Sequence, residues 1–337
     1  MTPLSDDQTL LSVRNLRTCF GQKRQQVTPV DGVTFDLKRG QTLAVVGESG
    51  SGKSVTSLTL MGLLGKQGRI GGGEIYYRDR QHQVQALHQF TPAQFRRLRG
   101  KEMSMIFQEP MTSLNPLFTV GEQIMEMLML HQPLSKQQAR RKAIDMLKKV
   151  EIPAAESRID DYPHSMSGGM RQRVMIALAL ACEPALLIAD EPTTALDVTI
   201  QAQILDLLRR LQQESGMGII FITHNLGVVA EIAQDVVVMY AGRVVEHAPV
   251  ASLFARPAHP YTQGLLACTP NHHLQTRGKI ERETLYAIPG SVPSLHALPS
   301  GCAFSPRCSQ VREECRTRSP ELRQLSEGTF SRCLWSE

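Results

Sequence analysis

Apolar positions along the chain fall into two alternating patterns. Short apolar runs bounded by polar residues, at 42–46, 186–189 and 219–222, have the length and continuity of strands buried on both faces of a parallel sheet. Stretches with helical spacing alternate with such runs from about residue 10 to residue 239, an order that predicts an α/β fold with a largely parallel sheet. Residues from about 109 to 181 depart from it: Met, Gln, Lys and Leu recur there at helical spacing without a strand-like run, which predicts an α-helical insertion. Beyond Phe254 the pattern changes again. Pro257, Pro260, Pro270, Pro289, Pro293 and Pro299 cut the chain into extended and turning pieces, so we expect one domain over 1–255 and a small, loop-rich C-terminal module over 256–337. No internal repeat is visible, which implies a single copy of the catalytic unit.

The 337 residues are 42% hydrophobic and 20% charged, a composition that excludes global disorder. A net charge of +5, spread along the chain, is too small for a nucleic-acid-binding arm. The polar start, with Asp6 and Asp7, is not a secretory signal. The longest apolar run, 174–182, is about half of a membrane span, so the chain is expected to sit on a membrane only through a partner. Four of the seven cysteines, Cys302, Cys308, Cys315 and Cys333, crowd the C-terminus. In the reducing compartment expected without an export signal, such a cluster more often binds metal than forms disulfides.

Gly47-Glu48-Ser49-Gly50-Ser51-Gly52-Lys53-Ser54 meets every fixed position of G-x-x-x-x-G-K-[ST] between a strand-like run and a helical one. Such a loop turns backbone N–H groups and a helix N-terminus onto phosphate oxygens. Lys53 then reaches the β- and γ-phosphates, and the Ser54 hydroxyl binds Mg²⁺. The apolar run at 186–189 ends in Asp190 and Glu191. Asp190 suits the Mg²⁺ shell and Glu191 a general base for an attacking water, although two such carboxylates by themselves would equally serve as a helix cap. The chemistry expected is ATP hydrolysis by direct attack of water.

Ser167-Gly168-Gly169-Met170-Arg171-Gln172-Arg173 precedes that acidic pair and heads a helical pattern. It resembles the signature motif of ATP-binding-cassette (ABC) ATPases. The resemblance implies a head-to-tail dimer, in which Ser167, Gly168, Gly169 and Met170 cap the ATP held by the partner's phosphate loop. It further implies that Gln108, in Phe107-Gln108-Glu109-Pro110, links Mg²⁺ and water to the helical insertion. Ala195, Leu196 and Asp197 would form a loop at the dimer interface, His224 would contact the γ-phosphate, and Phe20 would stack on adenine. Met170 stands where the broad family has Gln. With the run 107–116, His259-Pro260-Tyr261-Thr262 and the run 287–293, it makes the chain similar to ATPase subunits of dipeptide, oligopeptide and nickel importers.

The cysteine spacings are longer than those of most structural zinc sites and differ from the common ferredoxin ones. The residues by themselves give a four-thiolate metal site in a segment too poor in apolar residues to fold unaided, or else unligated thiols or disulfides. The similarity to peptide-importer ATPases implies a [4Fe–4S] cluster on Cys302, Cys308, Cys315 and Cys333.

The expected protein is therefore a peripheral ATPase on the cytoplasmic face of the inner membrane, using ATP and Mg²⁺ to drive import of peptides or a related solute. The partners implied are two membrane permease subunits, a second ABC ATPase and, indirectly, an extracytoplasmic solute-binding protein, with no nucleic acid. The alternative is a cassette ATPase that transports nothing and acts in repair, on ribosomes or as a redox-sensing regulator.

Overall fold

The computed structural model describes residues 4, 6–22, 26–108, 113–194, 196–269 and 286–336. Twelve strands are present among them: β1 (Thr9–Phe20), β2 (Val27–Lys38), β3 (Thr42–Val46), β4 (Gly68–Arg78), β5 (Val84–Ala86), β6 (Met103–Ile106), β7 (Leu186–Asp190), β8 (Gly218–Thr223), β9 (Asp235–Tyr240), β10 (Arg243–Pro249), β11 (Arg323–Ser326) and β12 (Thr329–Ser331). The helices used below are α1 (Lys53–Leu60), α2 (Pro92–Leu98), α3 (Val120–His131), α4 (Lys136–Lys149), α5 (Ala155–Arg158), α6 (Gly168–Leu180), α7 (Val198–Ser215), α8 (Leu226–Ile232), α9 (Val250–Ala255), α10 (Pro260–Ala267) and α11 (Glu313–Thr317). The chain divides into two compact units, each built from separate stretches.

The first unit comprises residues 1–11, 37–41 and 77–221. Its parallel pair β6 and β7 aligns Met103 with Leu186 and Ile106 with Ala189, and β7 is buried along its whole length. Between β6 and β7 the described residues contain helices and no strand, from α3 to α6. Capping boxes start two of these helices: Thr119 and Glu122 at α3, Ser135 and Gln138 at α4. Each satisfies two N–H groups that the first turn leaves without partners. Arg173 of α6, almost fully buried, donates to the Val150 carbonyl at 2.9 Å and to Glu151 at 2.8 Å. A buried guanidinium needs such partners, and they fix α6 against the end of α4.

The second unit comprises residues 12–36, 42–76 and 222–337. Here β3 runs parallel to β9, with Leu43 opposite Asp235 and Val46 opposite Val238, and β9 turns back as β10. The C-terminal strands continue this sheet, β12 pairing with β10 and β11 with β12. The chain beyond residue 256 thus packs into the core of this unit. Tyr240, Tyr261 and Phe304 form an aromatic triad with ring centroids 4.8–5.4 Å apart, surrounded by Leu253, Leu266, Ile288 and Val292.

Two buried polar groups under this core, Glu246 and His259, are paired. Glu246, fully buried, accepts hydrogen bonds from the backbone N–H groups of Ala258 and His259, each at 2.8 Å. Burial raises its pKa. His259 caps α10, its Nδ1 accepting from the Tyr261 N–H at 3.0 Å. Burial pushes the His259 pKa down to about 3, because the charged imidazolium is disfavoured in an apolar site. The unfolded chain therefore binds a proton below about pH 6.5 that the folded chain does not, and His259 removes stability as the pH falls from 6.5 toward 3, by at most about 1.4 kcal/mol per pH unit. Asn at this position keeps an acceptor for the Tyr261 N–H without titrating. Thermal midpoints compared between neutral and mildly acidic buffer should drop further for the parent than for His259→Asn; equal drops would show that His259 is not the group responsible.

Candidate functional site

In the second unit, β3 delivers the chain into residues 47–54 and α1 carries it away. Two glycines make this passage possible. A Cβ at Gly47 would collide with the Met239 carbonyl oxygen, and one at Gly52 with that of Pro29. Gly52 also has φ of 100°, a backbone region that disfavours side chains. The loop encloses Lys53, only 6% exposed, whose Nζ donates to the carbonyls of Gly47 at 2.7 Å and Glu48 at 3.0 Å. Ser51 is fully buried, and its Oγ is left without a hydrogen-bond partner. Ser49, Gly50 and Ser54 face solvent. A loop that admits no Cβ at residues 47 and 52, holding a near-buried ammonium and an orphaned hydroxyl, fits a bound phosphate group.

The same unit holds Phe20 and His224. The half-buried Phe20 ring packs on the backbone of Gly68, where a Cβ would come within 2.9 Å of it, so part of the ring serves packing. His224 follows β8 directly and is exposed.

The first unit holds the acidic pair. Asp190 ends β7 and is 5% exposed. Glu191, half-buried, has φ of 49°, a costly conformation for a residue with a Cβ that is found mostly at functional positions. Its Oε2 accepts from Gln108 Nε2 at 3.1 Å and from Thr194 Oγ1 at 3.0 Å. Residues 83 positions apart are thereby brought together. Gln172 of α6 donates to the Pro192 carbonyl, joining the helix of the signature segment to the chain that follows Glu191.

Ser167 is the N-cap of α6, its side chain accepting from the Met170 N–H at 3.3 Å. Ser167 and Gly168 are exposed, and a Cβ at Gly168 would point into open space. This is an accessible helix start with the positive end of its dipole facing outward. Asp197 caps α7 through a bond from the Ile200 N–H at 2.9 Å, and Ile200 in turn lies against Gly169. Leu196 is half-buried, while the neighbouring Val198 is 82% exposed. Ala195 lies outside the described residues, as do Glu109 and Pro110.

Two residues of this region were not assigned a role from the sequence. Tyr261 accepts a hydrogen bond at its hydroxyl from the Glu48 N–H at 2.9 Å, and Arg307 grips the Glu48 carboxylate. Tyr261 lies in the run 259–262 that marked the resemblance; Arg307 carried no sequence signal, because its partner is 259 positions away.

The expected metal-binding module is not supported. Cys302, Cys308, Cys315 and Cys333 all border one small cavity, together with His259 and Trp335. Yet among the described residues no group of three or more His, Cys, Asp or Glu is disposed to hold a metal ion, and the cysteines are free. Burial pushes the thiols of Cys302 and Cys308 up, and the neighbouring sulfurs add to it. The premise that this segment lacks a core also fails. Phe304 belongs to the aromatic triad, Ile288, Val292 and Leu298 pack against the same core, and Arg312 lies over the Trp335 ring at 4.1 Å.

Among the described residues no helix is long and apolar enough to cross a membrane. The family described as ABC transporter matches residues 30–194, and the family described as oligopeptide/dipeptide transporter, C-terminal region, matches 245–315. The oligopeptide transport ATP-binding protein AppD of Bacillus subtilis is 51% identical over 330 residues, which cover 98% of this chain and 97% of that one. The dipeptide transport ATP-binding protein DppD of Escherichia coli is 47% identical over 324 residues, 96% of each chain. A solved dimeric ATP-binding cassette, bound to ADP and Pi in a post-hydrolysis state, is 26% identical with a TM-score of 0.63, covering 72% of this chain and 99% of that one. Likeness of this degree, along nearly the whole length of two relatives and over the fold of a solved cassette, carries one conclusion: the chain belongs to the ABC transporter family, as an ATP-binding cassette ATPase of the oligopeptide/dipeptide type.

Proposed function

We propose that this chain is the ATP-hydrolysing subunit that powers import of di- or oligopeptides, or a related small solute. The observation that carries the reading is the 3.1 Å bond from Gln108 to Glu191, which joins the segment leading into the helical insertion to the carboxylate suited to take a proton from water. The loop 47–54 would hold the phosphates, with Lys53 exchanging its two carbonyl partners for phosphate oxygens. Ser54, Gln108 and Asp190 would hold Mg²⁺, which when bound neutralises charge on the β- and γ-phosphates. Glu191 would act as general base, His224 would contact the γ-phosphate and Phe20 the adenine. The full-length likeness to proteins named for peptide transport favours an importer over a repair, ribosome-associated or redox-sensing cassette.

Ser167, Gly168, Gly169 and Met170, accessible at a helix start, would cap the ATP of a second cassette, with 195–197 at the same interface. Two permease subunits and an external binding protein would complete the transporter, and the chain would sit at the cytoplasmic face of the membrane through them. The cassette would span 1–255, with its helical subdomain over about 109–181, and the extension 256–337. A [4Fe–4S] cluster on Cys302, Cys308, Cys315 and Cys333 is the finest part of the proposal. Its support is the shared cavity; the sulfurs would have to draw together around the group.

Three outcomes are expected. Glu191→Gln should bind ATP as the parent does while hydrolysing it at least about a hundredfold more slowly, whereas Lys53→Ala should lose nucleotide binding itself; near-normal turnover by Glu191→Gln would remove it as the base. In a homodimer, mixing Lys53→Ala chains with Gly168→Asp chains, each inactive alone, should restore part of the ATPase activity, because one composite site is then intact. No recovery would exclude a site shared between two copies of this chain. Protein purified without oxygen should contain iron and sulfide and absorb broadly in the visible region, and Cys308→Ser should bleach it. Anaerobic protein without metal would sink the cluster.

A further inference from the structure

Glu48 places a carboxylate in the middle of a loop built for anions. Were it free to turn inward, it would repel the phosphates that the loop is shaped to receive. The structure shows what restrains it. Arg307 Nη1 donates to Glu48 Oε2 at 2.6 Å and Nη2 to Oε1 at 3.0 Å, a two-pronged pair whose geometry fixes the carboxylate plane. The Arg307 side chain is only 4% exposed and that of Glu48 32%.

Arg307 is itself held. Its Nε donates to the Pro289 carbonyl at 2.9 Å, and its guanidinium lies 5.8 Å from the centre of the Tyr240 ring, a favourable placement for a cation. The backbone of Glu48 is tied to the same segment, since its N–H donates to Tyr261 Oη at 2.9 Å and Tyr261 is fully buried. Both the side chain and the main chain of one phosphate-loop residue are therefore anchored by the C-terminal third of the molecule.

We infer that Arg307 is a positioning residue for ATP, holding the Glu48 carboxylate away from the phosphate cradle. This rests on the reading of residues 47–54 as the phosphate site. Arg307 touches no reacting atom; it acts through Glu48. Its removal leaves an uncompensated, partly buried carboxylate at the mouth of an anion site, so the loss falls first on ATP affinity and KM and only secondarily on kcat.

The test uses the full chain, with equilibrium binding of ATP and steady-state ATPase kinetics. Arg307→Ala should weaken ATP binding and raise KM by about tenfold, with kcat changed less, and Arg307→Lys, which keeps charge but not the fork, should fall between. Adding Glu48→Gln to Arg307→Ala should bring affinity back to within about threefold of the parent, since the offending charge is gone. A purely structural role for Arg307 gives no such recovery. Parent-like affinity in Arg307→Ala, or no recovery in the double variant, overturns the inference. Should Arg307→Ala fail to fold, Arg307→Lys takes its place: it should bind ATP more weakly than the parent, adding Glu48→Gln to it should recover affinity, and no recovery overturns the inference. Lys53→Ala separates the two levels. If it loses ATP while Arg307→Ala does not, only the role of Arg307 falls; if it binds ATP normally, the phosphate site and this inference fall together.

Discussion

The backbone between β3 and α1 passes so near the carbonyl oxygens of Met239 and Pro29 that no side chain fits at residues 47 and 52. Much of the second unit follows from that close approach. The loop can wrap a near-buried ammonium only if its neighbours are held still, and Met239 is held by β9, aligned in parallel with β3. The β9–β10 hairpin then carries the sheet outward to the C-terminal strands. A loop made largely of backbone and one buried lysine has few side chains of its own to stiffen it, so its rigidity comes from the sheet behind it and from the residues that grip Glu48.

Charge burial is organised the same way throughout this unit. Glu246 lies beneath the strand–helix connection with two backbone N–H groups donating to it, and Arg307 is almost fully enclosed against Glu48 and a backbone carbonyl. Each such group is costly when alone and neutral or useful when fully paired. The pairs also carry information: Glu246 fixes where α10 begins, and α10 brings Tyr261 to the phosphate loop. Stability and site geometry therefore share the same side chains.

The first unit reaches precision by helix ends. Ser167 and Asp197 each cap a helix whose first turn lies in a segment of proposed function, and Ile200 fills the space beside Gly169. Gln172 reaches from α6 to the chain after Glu191. The helix that begins at Gly168 is thus tied directly to the chain after Glu191, while Gln108 contacts the Glu191 carboxylate from the segment before α3.

Local chemistry made the phosphate loop, the acidic strand end, the signature helix start and the strand–helix alternation legible in the sequence, because each depends on residues a few positions apart: glycines where a Cβ cannot fit, a serine before a helix, apolar runs of strand length. The order of those motifs sufficed to name the family. The packing of the C-terminal segment was not legible in the sequence for the complementary reason. Counting its own apolar residues suggested a piece needing a metal staple, whereas its core is borrowed from Tyr240, Leu253 and Tyr261, which lie before or at its start. Likewise, nothing local marks Arg307 as a partner of Glu48, or Gln108 as a partner of Glu191. Charge pairs and hydrogen bonds between residues far apart in the chain exist only once the fold has closed, and it was the tertiary structure alone that decided them.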